Sequence, residues 1–501
     1  MNASDFAGFA AAGFTRIPVS VEVVADLDNP LSTYLKLANQ PYTFLYESVQ
    51  GGEKWGRYSI IGLPARTTLH VHARRIVVRR EGEPDEVFEV DDPLAWIENY
   101  NQRFRLPDIE GLPRITGGLV GYFGYDTVRY IEPRLGPSSH PDPIGTPDIL
   151  LMETDELVVF DNLSGCLTLI VLADPAVDGA REQALSRLGE LVAGLRAPLP
   201  PRTETHAARE IRESDFSEVF PEADFKKAVD TTRRYITEGE CMQVALSQRM
   251  TLPFTAPSLD LYRALRILNP SPYMFYLDFG DHQVVGASPE ILVRLEEGEV
   301  AVRPLAGTRR RGATEAEDKA LESELLADEK ELAEHLMLID LGRNDIGRIA
   351  ELGSVEVSEQ FSIERYSHVM HIVSNVRGRL KDGMSPMDVL KATFPAGTLS
   401  GAPKVRALEI IQELEPVKRG VYSGAVGYLS WNGNMDTCIA IRTAVIKDGV
   451  LNVQAGAGLV YDSDPDAEWQ ETRAKARAVF RAAAMAESGI DRVPAALERD
   501  A

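Results

Sequence analysis

An α+β fold with much antiparallel sheet is predicted for this chain, on three observations. Runs that alternate apolar and polar residues flank short polar turns in the first half, as in β-hairpins. In the second half, helical and strand-like segments interleave without a dinucleotide-binding βαβ pattern. Asp448-Gly449, set between two apolar runs, is a strong signal for a tight antiparallel turn.

Composition narrows the class further. With 501 residues, 44% hydrophobic and 26% charged, the chain is an ordinary globular one, not disordered, collagenous or a disulfide scaffold. The length suits roughly two to four domain-sized units or one interwoven body. A net charge of −23 makes nucleic acid and anionic membrane surfaces poor partners, and an anionic substrate would need local cations or a metal. Cys166, Cys241 and Cys438 lack metal-site spacing and suit a reducing compartment. No basic residue precedes Arg16 and no apolar run approaches the ~18 residues of a membrane span, so a cytoplasmic protein is expected.

Taken in order, 69–90 reads as a hairpin around Glu81-Gly82-Glu83, and 149–160 with 166–173 as another around Asn162-Leu163-Ser164-Gly165. Five prolines between Pro133 and Pro147 mark an irregular loop. A helix over 180–196 precedes a proline-rich linker. This divides the chain into 1–200, a linker at 201–222, a body at 223–487 and a tail at 488–501. Helices are expected over 223–238, 258–268, 315–341, 403–414 and 466–486, and strands over 242–250, 273–279, 283–287, 299–304, 423–431, 437–446 and 450–455.

The last helix carries the strongest chemical signal. Asp464 can cap it, Pro465 fits its first turn, and Glu468, Glu471 and Lys475 share one face. That face is either a solvated Glu-to-Lys surface or a cation site beside the preceding Gln454-Ala-Gly456-Ala457-Gly458, whose glycines let backbone N–H groups approach an anion. Glu331 and Glu334 lie one turn apart on a second acidic helix, which alone reads as surface. Phe394 to Lys404 puts a turn of small residues before a helix N-terminus that can receive an anion. Arg442, in an apolar strand, either points outward or meets a carboxylate. A lone His371 among apolar residues is more often a satisfied core residue than a catalyst.

Together these segments resemble the chorismate-binding enzyme family, and within it the aminating, anthranilate-forming branch. Gly286-Ala-Ser-Pro-Glu290, Arg303-Pro-Leu-Ala-Gly-Thr308, Glu334-His335 to Asp345, Gly397-Thr-Leu-Ser-Gly-Ala-Pro-Lys404 and Gly456 to Lys475 occur in the family's order. The resemblance implies large, mostly antiparallel sheets packed as a layered sandwich with helices outside. It implies that Glu334, Glu471 and Glu468 hold Mg²⁺ against the ring carboxylate of chorismate. Arg442, Lys475, Gly456, Ala457 and Gly458 would bind substrate, with Thr308, Thr398 and Tyr428 beside them. Glu290 would protonate the departing C4 hydroxyl, and His371 would serve the later loss of pyruvate.

Two positions separate the sub-families. Isochorismate-forming members have a water-activating lysine in the string that here reads Gly239-Glu-Cys-Met-Gln243. Glutamine cannot deprotonate water, so ammonia is the expected nucleophile. Ala306 stands where aminodeoxychorismate synthases carry a nucleophilic lysine, leaving direct attack at C2 and anthranilate as product. Without a Gly-x-Cys-x-Gly elbow, glutamine hydrolysis is expected from a separate glutamine amidotransferase subunit. Leu45-Tyr-Glu47-Ser48 and Asn269-Pro-Ser-Pro272-Tyr273-Met274 resemble the two halves of the family's tryptophan-inhibition pocket, in the 1–200 region and the catalytic body. The rivals are an enzyme that stops at the aminated intermediate, against which His371 argues, and a silent tryptophan sensor, against which the retained acids and bases argue. A phosphate-binding Gly-x-x-x-x-Gly-Lys-[Ser/Thr] loop is missing.

Overall fold

Two 12-stranded sheets, every described pairing antiparallel, face each other across a shared apolar interior. The structure, a computed structural model, describes residues 1–48, 57–201, 206–366 and 369–490. The tail beyond 490 and most of the stretch after Ser48 lie outside them.

The first sheet runs from strand Ile17–Val24 at one edge, through Thr43–Glu47, Tyr273–Asp278, His282–Ser288, Thr443–Lys447 and Val450–Leu459, to Gln243–Pro253 and Ser217–Glu218. The second runs from Leu305–Arg310 and Val369–Arg379 through Ile291–Glu296, Met435–Ile439, Ala425–Ser430 and Gly118–Phe123 to Glu86–Glu89. Strands from both halves of the sequence enter both sheets, so the 201–222 segment divides the sequence without dividing the sheets.

Alternation explains the layering. In the fully buried strand Gly118–Phe123, Val120 and Tyr122 point inward to meet Phe44, Phe275 and Val445 of the other sheet, while Leu119 and Phe123 point outward under helices. Helices Ala180–Leu195, Ser258–Leu268 and Pro465–Ser488 cover the outer face of the first sheet. The last buries Trp469, Thr472, Ala476, Val479, Phe480 and Ala483 at three- and four-residue spacing; its Asp464 cap accepts from the Asp466 and Ala467 N–H groups. Among the described residues no helix is long and apolar enough to cross a membrane.

Four expected elements differ. The 69–90 hairpin is a three-stranded meander, because Ala73, at φ 51°, makes a second tight turn between Thr67–His72 and Arg75–Arg80. The expected helix 315–341 is two helices, Glu315–Ala327 and Glu329–Gly347, because Asp328 adopts an extended conformation and caps the second by accepting from the Lys330 and Glu331 N–H groups. The apolar runs 149–160 and 437–446 each split between the sheets, crossing at Asp155 and at Ala440–Arg442. An apolar run reads the same whether the chain stays in one sheet or steps to the next.

Gly121 and Gly427 face each other in the second sheet, and a Cβ on Gly427 would lie 2.1 Å from the Asp436 carbonyl oxygen. Gly427→Ala is expected to cost about 2 kcal/mol or more, since backbone must move, read as a lowered midpoint of chemical unfolding. A change below about 0.5 kcal/mol would show that the sheet yields there freely.

Candidate active site

Adjacent crossings between the sheets create the site. The chain leaves the first sheet after Ser288 and enters the second at Ile291; it returns between Ile439 and Thr443. The two crossings are pinned together, the Ile439 N–H donating to the Glu290 carbonyl (3.0 Å) and the Ala287 N–H to the Arg442 carbonyl (3.2 Å). Glu290 and Arg442 therefore sit side by side where neither belongs to a strand. Arg442, held at φ 50°, is neither the outward strand residue nor the ion-paired one that its sequence context offers. Its guanidinium has no hydrogen-bond or ion-pair partner among the described residues. Burial lowers its pKa, against the pull of Tyr422, Glu290 and Glu471. Burial likewise pushes the Glu290 carboxyl up to about 7, despite Thr398 Oγ1 donating to its Oε1 (3.3 Å) and the cations Arg442 and Lys475 nearby.

The same crossing opens the glycine strand. Thr443–Lys447 pairs with Val450–Leu459 only as far as Val453, so the later residues, Gly456 to Gly458 included, keep Gln243–Pro253 as their one strand partner. Half their backbone groups face away from it. Side chains fill the places the glycines leave: a Cβ on Gly458 would lie 2.6 Å from Gln243 Nε2, and one on Gly456 2.9 Å from the Tyr422 hydroxyl. Tyr422, which the sequence reading did not select, thus joins Gly456 and Arg442. Tyr428, expected at the substrate, lies elsewhere, in the cavity described below. Nothing in the alternation of Val421 to Leu429 distinguishes these tyrosines; Ser423 at φ 65°, visible only in the structure, turns Tyr422 toward the site.

Phe394 to Lys404 brings Thr398 to Glu290. Its glycines make close approaches, since a Cβ on Gly397 would lie 1.7 Å from Leu341 and one on Gly401 2.0 Å from the Gln243 carbonyl. Helix Lys404–Leu414 begins with Lys404 paired to the buried Asp345 at 3.0 Å, so a cation already occupies the N-terminus considered for an anion.

Three carboxylates gather from the two acidic helices. Glu334 comes from Glu329–Gly347; Glu468 and Glu471 come from Pro465–Ser488, with Lys475 bridging Glu471 (2.6 Å) and the Gly456 carbonyl (3.2 Å). Burial, then repulsion from neighbouring carboxylates, raises Glu334; burial and Glu471 raise Glu468, against a hydrogen bond from Ser463. Glu468 Oε2 is buried without a partner. Among the described residues no three His, Cys, Asp or Glu side chains stand close enough together to hold a metal ion as they are placed. Yet an orphaned carboxylate oxygen among mutually repelling hard donors fits a divalent cation such as Mg²⁺.

His371 lies within electrostatic reach of Arg442. Its Nδ1–H donates to the Gly307 carbonyl (2.7 Å), with Thr308 Oγ1 at 3.2 Å. Burial lowers its pKa, against that hydrogen bond, and keeps the ring neutral with Nε2 as the basic nitrogen.

A second cavity of about 380 Å³ lies between the sheets, lined by Ser48, Tyr58, Met274, Phe275, Tyr428 and Cys438 among others. It unites both expected inhibitor strings, Glu47 and Ser48 with Pro272, Tyr273 and Met274. The Glu47 carboxylate is committed, accepting from Tyr262 and from Arg266 at 2.9 and 3.1 Å, so it supports the wall. Asp436, unnoticed in the sequence, accepts from Arg294 Nε (2.9 Å) and the Tyr273 hydroxyl (3.0 Å) on the cavity wall.

With this geometry, the comparisons agree. Residues 45–481 match the model of the chorismate binding enzyme family. The anthranilate synthase component 1 of Pseudomonas putida is 59% identical over 97% of this chain and 99% of its own length. That of Pseudomonas aeruginosa is 59% identical over 98% and 100%. The crystal structure of anthranilate synthase component I from Streptococcus pneumoniae superposes with a TM-score of 0.77 at 38% identity, over 91% of this chain and 99% of that one.

The raised Glu290 pKa makes stability pH-dependent. A carboxyl raised from 4.5 to about 7 contributes stability fully present below 4.5 and lost as pH rises through 7. Glu290→Gln cannot ionise, so it is expected to gain on the native chain by roughly 2–3 kcal/mol across that window, read from urea midpoints. Parallel curves would mean Glu290 ionises normally.

Proposed function

The chain belongs to the chorismate-binding enzyme family, and from that premise we infer how its residues carry the reaction. It is the large subunit of an anthranilate synthase, an enzyme of tryptophan biosynthesis that converts chorismate to anthranilate. The observation that carries the chemical reading is Glu290, a carboxyl kept protonated near neutral pH beside the unpaired Arg442. Such an acid can give its proton to the departing C4 hydroxyl while the guanidinium holds a substrate carboxylate.

Ammonia adds at C2 as that hydroxyl leaves. Gln243 packs on Gly458 and offers no base for water, and Ala306, on the buried face of its strand, offers no amine. Thr398 orients Glu290, and Lys475 with the freed backbone of Gly456 to Gly458 carries the other carboxylate. Neutral His371, its Nδ1–H tied to Gly307, presents Nε2 to take the ring proton as pyruvate departs. Glu334, Glu471 and Glu468 would hold Mg²⁺, which when bound neutralises the ring carboxylate.

The relatives' designation as component 1 supports a second component, which we take to be a glutamine amidotransferase that supplies the ammonia. The three free cysteines suit the cytoplasm. We assign the 380 Å³ cavity to feedback inhibition by tryptophan: its apolar and aromatic lining, Met274, Phe275 and Tyr428 included, suits an indole, and the polar groups around Ser48 and Tyr273 suit an amino acid's charged end.

The purified chain, given chorismate, Mg²⁺ and ammonium, should release anthranilate and pyruvate in equal amounts. At saturating ammonia kcat should fall as pH rises past a value no lower than about 7, and Glu290→Gln should lose about 100-fold or more. Chorismate consumption without pyruvate would overturn the elimination step, and no consumption the whole reading. Ser48→Ala should raise the tryptophan concentration for half-inhibition by about tenfold with the uninhibited rate little changed. An unaltered inhibition curve would remove Ser48 from the pocket.

A further inference from the structure

Beneath the active site lies a fully buried ion pair to which no role has been given. Glu415 and Arg419, in the irregular segment that follows helix Lys404–Leu414, are 4% and 2% exposed and joined twice, Arg419 Nε to Glu415 Oε2 (2.8 Å) and Nη2 to Oε1 (2.6 Å). A pair used only to offset its own burial would be a weak stabiliser, since desolvation cancels much of the attraction. This one is connected outward. Arg419 Nη1 donates to the Leu399 carbonyl (2.8 Å) and the Ser423 hydroxyl (3.1 Å), and Nη2 to the Ala245 carbonyl (2.7 Å). With the two bonds to Glu415, all five guanidinium donors are used.

Each contact neighbours a residue of the site. Leu399 follows Thr398, which holds Glu290. Ala245 lies opposite Gly458, and the remaining capacity of Glu415 Oε1 accepts from both the N–H and the hydroxyl of Ser247 (2.8 Å each), the residue opposite Gly456. Ser423 follows Tyr422 and sits at φ 65°, a region unfavourable for serine, while its N–H donates to the Ala440 carbonyl (3.0 Å) at the start of the crossing that carries Arg442. The guanidinium also lies 4.7 Å from the Tyr125 ring centre and 5.7 Å from that of Tyr422.

We propose that Arg419, oriented by Glu415, is a positioning residue for the reaction: one guanidinium fixes the relative placement of the Thr398 turn, the glycine strand, Tyr422 and the Arg442 crossing. It touches no substrate. The inference rests on the anthranilate synthase reading above, because the groups it places are the ones given roles there. Only a planar five-donor fork serves all four attachments; an ammonium of equal charge cannot.

The test compares Arg419→Lys and Ser423→Ala with the unmodified chain in the ammonia-dependent assay, with thermal midpoint and circular dichroism as folding controls. Ser423→Ala removes one of the five bonds and leaves the charge pair intact. Arg419→Lys is expected to lower kcat by about 100-fold and Ser423→Ala by about tenfold, with the KM for chorismate moving less than about threefold. The pH at which kcat declines should move upward in both, because a displaced Thr398 no longer stabilises the Glu290 carboxylate. Should Arg419→Lys fail to fold, Ser423→Ala alone decides. A folded variant whose kcat stays within twofold, or whose loss comes without any movement of the pH profile, would reduce the pair to a structural one. Absence of turnover by the unmodified chain would instead fail the underlying reading.

Discussion

The rest of the site depends on two crossings between the sheets running side by side, joined by backbone hydrogen bonds between Ile439 and Glu290 and between Ala287 and Arg442. A residue in a sheet has its backbone engaged and its side chain assigned to one face or the other. A residue in a crossing is released from both constraints. Glu290 and Arg442 are placed at the seam, in surroundings that disfavour charge on each, while the Arg442 guanidinium lacks a hydrogen-bond or ion-pair partner among the described residues. On the proposed reading, an anionic substrate supplies the counter-charge that Arg442 lacks, and burial favours the protonated form of Glu290 before it arrives. That is preorganisation in the electrostatic sense: the groups are fixed before the charge they serve develops.

The acidic helices solve the opposite problem. The chain carries a net charge of −23, yet it concentrates Glu334, Glu468 and Glu471 beside the place where, on the proposed reading, another anion binds. Lys475 offsets part of this charge through Glu471 and reaches the Gly456 carbonyl, tying the acidic cluster to the glycine strand. The buried, unpartnered oxygen of Glu468 marks where that compensation stops. A dication fits the remainder better than a further side chain, because several hard oxygens can share it.

The cavity of about 380 Å³ and a smaller one of about 50 Å³ beside Glu290 and Thr398 are built on the same strands. Arg294 and Asp436 pair across Ile291–Glu296 and Met435–Ile439 on the wall of the larger cavity, and these strands run directly to Glu290 and to the Arg442 crossing. Tyr273, hydrogen-bonded to Asp436, begins the strand paired with His282–Ser288, whose last residue precedes the other crossing by one peptide. An occupant of the larger cavity therefore bears on the elements that hold Glu290 and Arg442. Shared rigid strands are the physical means by which one site can sense another, provided the elements have two arrangements.

The amino-acid sequence by itself determined whatever is encoded locally: the capped last helix with Glu468, Glu471 and Lys475 on one flank, the Asp448-Gly449 turn, the glycines of the 454–458 string, and the strings that identify the family. These are legible because caps, turn residues and periodicity act over a few neighbours. What only the tertiary structure decided is non-local. Asp328 could break a helix or ride along it, and pairing with Arg309 at 2.8 Å favours the break. Arg442 reads as a strand residue until the sheet order shows its strand splitting in two. Tyr422 and Tyr428 are alike in sequence, but an unusual backbone angle at Ser423 sends the first to the active site, while strand pairing sends the second to the other cavity. The Glu415–Arg419 pair carries no signal in the sequence, because its attachments, Ala245 and Leu399, lie far away along the chain. In each case the deciding contact joins segments that no window along the sequence contains, and its strength comes from burial that exists only once both sheets are assembled.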